Sequence, residues 1–149
     1  MADTRTPAQR RKIMQAVRSG DTLPEMTVRR ALWAVGLRYR LHDRHLPGRP
    51  DVVLAGRRIA IFVHGCFWHG HPGCPRHRIP KTRSEFWRAK IERNQERDRT
   101  AAAALEAAGW KVMVIWGCET ENPREVATFA ARVAASPLRT RITVPSERL

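Results

Sequence analysis

The 149-residue chain has little cysteine (three residues), one tyrosine, four lysines and half as many acidic as basic residues. Three cysteines cannot build a disulfide framework; they fit a reduced compartment and metal ligation better. No apolar run approaches 18 residues, which argues against a membrane span, and no signal-peptide pattern opens the chain. A cytoplasmic location is the expectation. The scarcity of Asp and Glu, 14 against 28 Lys and Arg, leaves a net charge of +14 and a pI near 11.4. Lysine is confined to Lys12, Lys81, Lys90 and Lys111, so the excess is arginine, whose planar fork suits bidentate phosphate contact. Such a balance points to nucleic acid, although coding composition also raises arginine content. No glycine-rich turn joins a strand to a helix, which excludes the dinucleotide-binding pattern. Nor is there an internal repeat or interior linker. The length suits one domain with a genuine core.

Residues 1–20 read as a basic arm (Arg5, Arg10, Arg11, Lys12, Arg18) whose apolar members are Ile13, Met14 and Val17. A solvated arm and a short amphipathic helix lying along DNA phosphates both fit. Thr22-Leu23-Pro24-Glu25 has the capping-box pattern, predicting a helix with Leu23, Leu32 and Val35 among its inward residues and Gly36 as its stop. Leu37 to Leu41 alternates like a half-buried strand. In Leu46-Pro47-Gly48-Arg49-Pro50-Asp51, Pro50 is expected to hold Arg49 extended and to bring Asp51 into the next strand from a sharp turn. Val52–Leu54, a turn at Ala55-Gly56-Arg57, and Ile59–Val63 then form a hairpin whose second strand reads as central. A long helix is expected from Thr82 or Ser84 to about Ala108, its first half exposed and its second half packed. Trp110–Trp116 reads as a strand buried on both faces, and Pro123 to about Ala135 as a closing helix. The order predicts an α/β domain over 21–136, a mixed sheet flanked by helices, followed by a tail over 137–149.

The densest chemistry lies in His64-Gly65-Cys66-Phe67-Trp68-His69-Gly70-His71-Pro72-Gly73-Cys74. Cys66, Cys74 and the remote Cys118, with His71 or a neighbouring histidine, have the soft donor set of a closed structural zinc site. Buried free cysteines offer the plainer explanation. Asp51, at a strand start after Arg-Pro, is either a turn residue or a Mg²⁺ ligand, with a backbone carbonyl near Val63 as second donor. The acidic residue and lysine usual on the second strand of such nucleases are absent, which makes His69 the candidate base. Asp98 on the long helix either orients His69 or forms a surface ion pair. Glu25 is a cap, an active-site acid, or both. Phe67, Trp68 and Trp87 are core residues or a wedge that unstacks base pairs.

Leu46 to Asp51, His64-Gly65-Cys66-Phe67-Trp68-His69, Thr82-Arg83-Ser84-Glu85-Phe86-Trp87, Lys90-Ile91, Asn94, Glu96-Arg97-Asp98 and Gly109-Trp110 together resemble the very short patch repair endonucleases, bacterial enzymes that nick T:G mismatches. The resemblance runs from near residue 5 to about residue 120. It implies a restriction-endonuclease-like fold, Mg²⁺ on Asp51 and the Val63 carbonyl, and His69 as base supported by Asp98. Glu25 and His64 would stand in the outer active site, and Cys66, His71, Cys74 and Cys118 would hold zinc. Phe67, Trp68 and Trp87 would intercalate from the major groove and Met14 would approach from the minor groove. The implied substrate is duplex DNA carrying a T:G mismatch left by 5-methylcytosine deamination, with a functional link to a cytosine-5 DNA methyltransferase. The implied state is a monomer without membrane contact. Two rivals remain: a non-catalytic zinc-containing DNA-binding module, which needs no carboxylate at position 51, and a structure-selective nuclease indifferent to mismatches.

Overall fold

The computed structural model describes residues 21–138; the arm at 1–20, with Met14, and residues 139–149 of the tail lie outside them. Helix α1 spans Leu23–Ala34. Thr22 caps it, its Oγ1 accepting from the Glu25 amide at 3.4 Å, while Glu25 Oε2 reaches back to the Asp21 amide at 3.1 Å. Gly36, at φ +86°, ends it. The buried stripe is Glu25, Val28, Arg29 and Leu32, spaced three and four apart. Leu23, two residues before that stripe, points away from it and is 76% exposed, and Val35 is an exposed C-cap, so neither faces inward as expected.

Four strands follow: β1 Arg40–Leu41, β2 Val52–Leu54, β3 Ile59–His64 and β4 Lys111–Trp116, in spatial order β1-β2-β3-β4. The first three pair antiparallel and β4 joins β3 in parallel, so β3 is central as expected. β1 is shorter than its alternating pattern. The Leu37 amide bonds the Leu32 carbonyl and Tyr39 Oη bonds the Arg29 carbonyl, so these residues serve the end of α1 instead of the sheet. Arg49 departs from expectation too. At φ +51°, after Gly48 at +73°, it lies in the left-handed region, its amide closing a turn on the Leu46 carbonyl at 3.1 Å.

One sheet face (Val52, Leu54, Ile59, Ile61, Met113, Ile115) packs on α1 and on the closing helix Pro123–Ala135, through Val28, Leu32, Phe129, Ala130 and Val133. The long helix α2, Ser84–Ala107, covers the other. It begins without the cap expected from Thr82 or Ser84: Arg83 at φ +57° occupies the N-cap and supplies no side-chain bond. Its inward residues Ile91, Ala101 and Leu105 span both halves, while Ala103 and Ala104 are exposed. Packing therefore follows a stripe along the whole helix, not its second half. β4 is an edge strand, and only Met113 and Ile115 are buried; Val114 is 37% exposed. A cleft of about 410 Å³ separates its outer face from α2. A short helix α3, Gly117–Thr120, follows β4, and the closing helix is α4.

Gly48 lets the 46–51 loop settle between Phe62 and Ala101: an added Cβ would lie 2.6 Å from Ala101 Cβ and 3.3 Å from the Phe62 ring. Gly48→Ala therefore combines a clash with the Ala101 methyl with an unfavourable φ and should cost roughly 1–3 kcal/mol in urea unfolding. Gly36→Ala, where φ is positive but the space is open, should cost less; equal costs would contradict the close approach.

Candidate active site

The loop leaving β3 is closed by its own backbone. The His69 amide donates to the Gly65 carbonyl at 3.1 Å, His71 to Cys66 at 2.9 Å, and Cys74 to His71 at 3.3 Å. Helix α2 holds it from behind: Asn94 Nδ2 donates to the Trp68 carbonyl at 2.9 Å and Gln95 Nε2 to the His69 carbonyl at 3.3 Å. Gly70, at φ +63°, sits so close that an added Cβ would meet Gln95 Nε2 at 2.3 Å.

Within this loop the donor atoms of Cys66, His71, Cys74 and Cys118 lie within 4.8 Å of one another. One tetrahedral ion needs donors about 3.5–4 Å apart, so the set can close on a single cation with little movement. Of the loop histidines it is His71 that joins the cysteines. Its ring stacks on Trp116 at 4.2 Å, and its Nδ1 is 3.5 Å from Cys118 Sγ. Desolvation and the neighbouring Cys66 thiol push Cys118 up to about 12, whereas the Arg76 amide pulls Cys74 down. A cation among these sulfurs would relieve the suppressed ionisation of Cys118, so the donor chemistry fits a soft divalent metal.

A second group of side chains gathers at the start of β2 and the end of β3. Asp51 Oδ2 accepts from the Val63 amide at 2.7 Å. Desolvation lifts its pKa from 3.8 to about 6, the Val63 bond opposes that lift, and Glu25 adds to it; His42 and His69 pull the other way. Asp51, Glu25, His42 and His69 thus share one electrostatic neighbourhood. His69 Nδ1 is 2.7 Å from Asp98 Oδ2, and the carboxylate makes Nδ1 the protonated nitrogen, which leaves Nε2 with its lone pair. His64 stacks flat on His69, with ring centroids 3.9 Å apart. Desolvation and the adjacent His69 hold His64 down to about 4, so it stays neutral near pH 7. Glu25 is both cap and site neighbour, its Oε2 accepting from the Asp21 amide, Arg29 Nη2 and His42 Nε2.

The third assembly is aromatic. Phe67 meets Trp68 at 5.1 Å and Trp87 at 5.7 Å, both edge to face, and Trp68 meets Trp87 at 6.0 Å. All three are only partly buried, and Lys90 Nζ lies over Trp68 at 5.2 Å. They form a surface cluster, not part of the core below the sheet. Two neighbours escape sequence reasoning. Phe86, 40% exposed beside Trp87, lacks any pattern to separate it from core. His42 is visible only once β1 is paired with β2, because register alone sets it opposite Asp51. Met14 lies outside the described residues.

Comparison with known proteins gives concordant results. The family model for DNA mismatch endonuclease Vsr matches residues 2–75. The type II nicking enzyme V.XorIIP of Xanthomonas oryzae is 52% identical over 122 residues, covering 82% of this chain and 89% of the relative. The DNA mismatch endonuclease Vsr of Escherichia coli is 45% identical over 118 residues, covering 79% and 75%. The type II nicking enzyme V.NmeAIP of Neisseria meningitidis is 43% identical over 122 residues, covering 82% and 86%.

The raised pKa of Asp51 means that the folded protein binds this proton more tightly than the unfolded chain does. The resulting stability is full below pH 3.8 and is lost as pH rises through about 6. In Mg²⁺-free buffer, Asp51→Asn should therefore match the parent near pH 4 and exceed it by roughly 1–3 kcal/mol at pH 8. A gap that is constant with pH in paired urea titrations would show that Asp51 ionises normally.

Proposed function

The chain belongs to the DNA mismatch endonuclease Vsr family, and from that membership we propose that it nicks duplex DNA on the 5′ side of the thymine in a T:G mismatch, by Mg²⁺-dependent phosphodiester hydrolysis. The observation that carries this reading is the pairing of His69 with Asp98 at 2.7 Å beside a carboxylate, Asp51, whose charge senses His69. A DNA-binding module has no use for a half-buried carboxylate in the same electrostatic neighbourhood as an oriented imidazole. The family makes the protein a nuclease; the metal, the strand and the mismatch are our assignments.

Asp51 and the Val63 carbonyl would hold the magnesium. The Val63 amide already occupies Oδ2, so Oδ1 remains outside that bond. When bound, the ion neutralises charge on the phosphate and on the leaving oxygen. His69 accepts the proton of the attacking water at Nε2, and Asp98 steadies the imidazolium that results. His64, neutral and stacked on His69, keeps that ring in its plane and adds no positive charge to the base. Glu25 completes the outer site. The supporting scaffold is read as restriction-endonuclease-like.

Cys66, His71, Cys74 and Cys118 are assigned a structural Zn²⁺, since four protein donors leave no open coordination position. A loop stiffened in this way can press Phe67, Trp68 and Trp87 into the major-groove side of the stack, with Met14 of the arm entering from the minor groove. Unstacking costs about a few kcal/mol per step and least where pairing is already poor, so the wedge would itself discriminate in favour of the mismatch. The expected setting is DNA-associated and cytoplasmic, as a monomer acting where a cytosine-5 methyltransferase has left methylated cytosine to deaminate. Among the described residues, no helix is long and apolar enough to cross a membrane.

Single-turnover nicking of end-labelled T:G and T:A duplexes, with Mg²⁺ or EDTA, tests the proposal. Nicking should require both Mg²⁺ and the mismatch. Asp51→Asn and His69→Ala should each lose about 10²–10⁴-fold in rate while retaining binding. Binding without nicking would instead favour the zinc-containing binding module, and equal nicking of T:A would remove the mismatch reading. Elemental analysis should find one zinc per chain, absent in Cys118→Ser together with a lower Tm; a zinc-free native protein would end the structural-metal assignment.

A further inference from the structure

His42 belongs to none of the assignments above, yet it joins the start of α1 to the strand that carries Asp51. β1 and β2 pair Arg40 with Val53 and Leu41 with Val52, and the His42 amide extends the ladder by donating to the Asp51 carbonyl at 3.2 Å. His42 therefore stands directly across from Asp51. Its Nε2 lies 2.9 Å from Glu25 Oε2. A carboxylate beside a guanidinium accepts hydrogen bonds, so this nitrogen carries the hydrogen, and its 3.4 Å approach to Arg29 Nη2 is proximity only.

Two further donors converge on the same oxygen: the Asp21 amide at 3.1 Å and Arg29 Nη2 at 3.0 Å. Three donors on Oε2 leave Oε1 outside the set. Glu25 and Arg29 are buried, and Arg29 is shared with Asp21 at 2.8 Å. The His42 side chain, by contrast, is 31% exposed. Removing it keeps the Glu25–Arg29 pair, and hence the fold, but takes away the donor that ties the Glu25 carboxylate to the strand paired with Asp51, whose charge Glu25 opposes.

We propose that His42 is a positioning residue of the metal centre: by donating to Glu25 Oε2 it fixes that carboxylate beside Asp51 and so tightens the centre's hold on a divalent cation. The inference rests on reading Asp51 as a cation ligand. Groups that orient metal ligands from behind typically govern affinity about as strongly as one weak ligand does, roughly tenfold or more.

The test is calorimetric titration of Mg²⁺ into the zinc-loaded full chain without DNA, for the parent, His42→Leu and His42→Gln, with Tm in Mg²⁺-free buffer without chelator as the folding control. His42→Leu should weaken Mg²⁺ binding about tenfold with Tm unchanged. His42→Gln, whose side-chain amide can still donate, should recover most of that loss. The Mg²⁺ concentration giving half-maximal nicking of the T:G duplex should shift in step. Equal Mg²⁺ affinity in His42→Leu, or failure of His42→Gln to restore what the leucine loses, overturns the proposal. Should the parent take up no Mg²⁺, the reading of Asp51 falls and this inference falls with it. If the parent binds Mg²⁺ but nicks no T:G DNA, only the substrate reading fails and the calorimetry still decides the role of His42.

Discussion

The parallel ladder between β3 and β4, which sets His64 beside Trp116, is the constraint on which the site depends. Two residues beyond each partner stands a cysteine, and the ladder brings the two ends so close that the Cys118 amide donates to Cys66 Sγ at 3.4 Å. On its other edge β3 pairs with β2, setting Val52 against Ile61 and so carrying Asp51 to the Val63 amide. One central strand thus delivers the carboxylate from one side, a sulfur from the other, and the histidine-bearing loop from its end. The core beneath, Ile59 and Ile61 against Val28, Leu32, Phe129 and Val133, keeps that strand straight and dry. Burying it has an electrostatic consequence, because the same exclusion of water raises Asp51 and depresses His64.

Helix α2 supplies the second constraint. Asp98, Gln95, Asn94 and Ile91 lie on consecutive turns of one face and meet the loop at His69, Gly70 and Trp68. His69, Phe67 and Trp68 are therefore carried by the same short loop, and the helix that braces it carries Trp87. In the proposed reading, a wedge and a hydrolytic group on one loop move together, which would let distortion at a mispaired base set the register of cleavage. A net charge of +14 favours any polyanion whatever its sequence, so in the proposed reading discrimination falls to the loop.

Elements governed by neighbours in sequence are legible in the residues themselves. The Thr22–Glu25 cap, the apolar run that forms β3 and the Pro123–Ala135 helix all rest on local pattern. What depends on distant partners is not. Val114 alternates like a buried strand residue but stands on an edge strand beside an open cleft. Arg49 obeys its turn, not the proline after it. Chemistry follows the same division. Cys66, His69 and Cys74 announce themselves by density in one loop, whereas Asp98 and Cys118 are remote in sequence and only the fold brings them to it. His42 is an ordinary loop histidine until pairing places it across from Asp51.

The central claim is that Asp51 and His69 serve one scissile phosphate. A crystal structure of the chain bound to an uncleaved T:G duplex with Mn²⁺ in place of Mg²⁺, located by anomalous scattering, tests it most directly. Manganese is expected on the Asp51 carboxylate, with the phosphate 5′ to the mismatched thymine lying between it and His69 Nε2. A phosphate seated away from either group, or manganese bound elsewhere with Asp51 vacant, would contradict it.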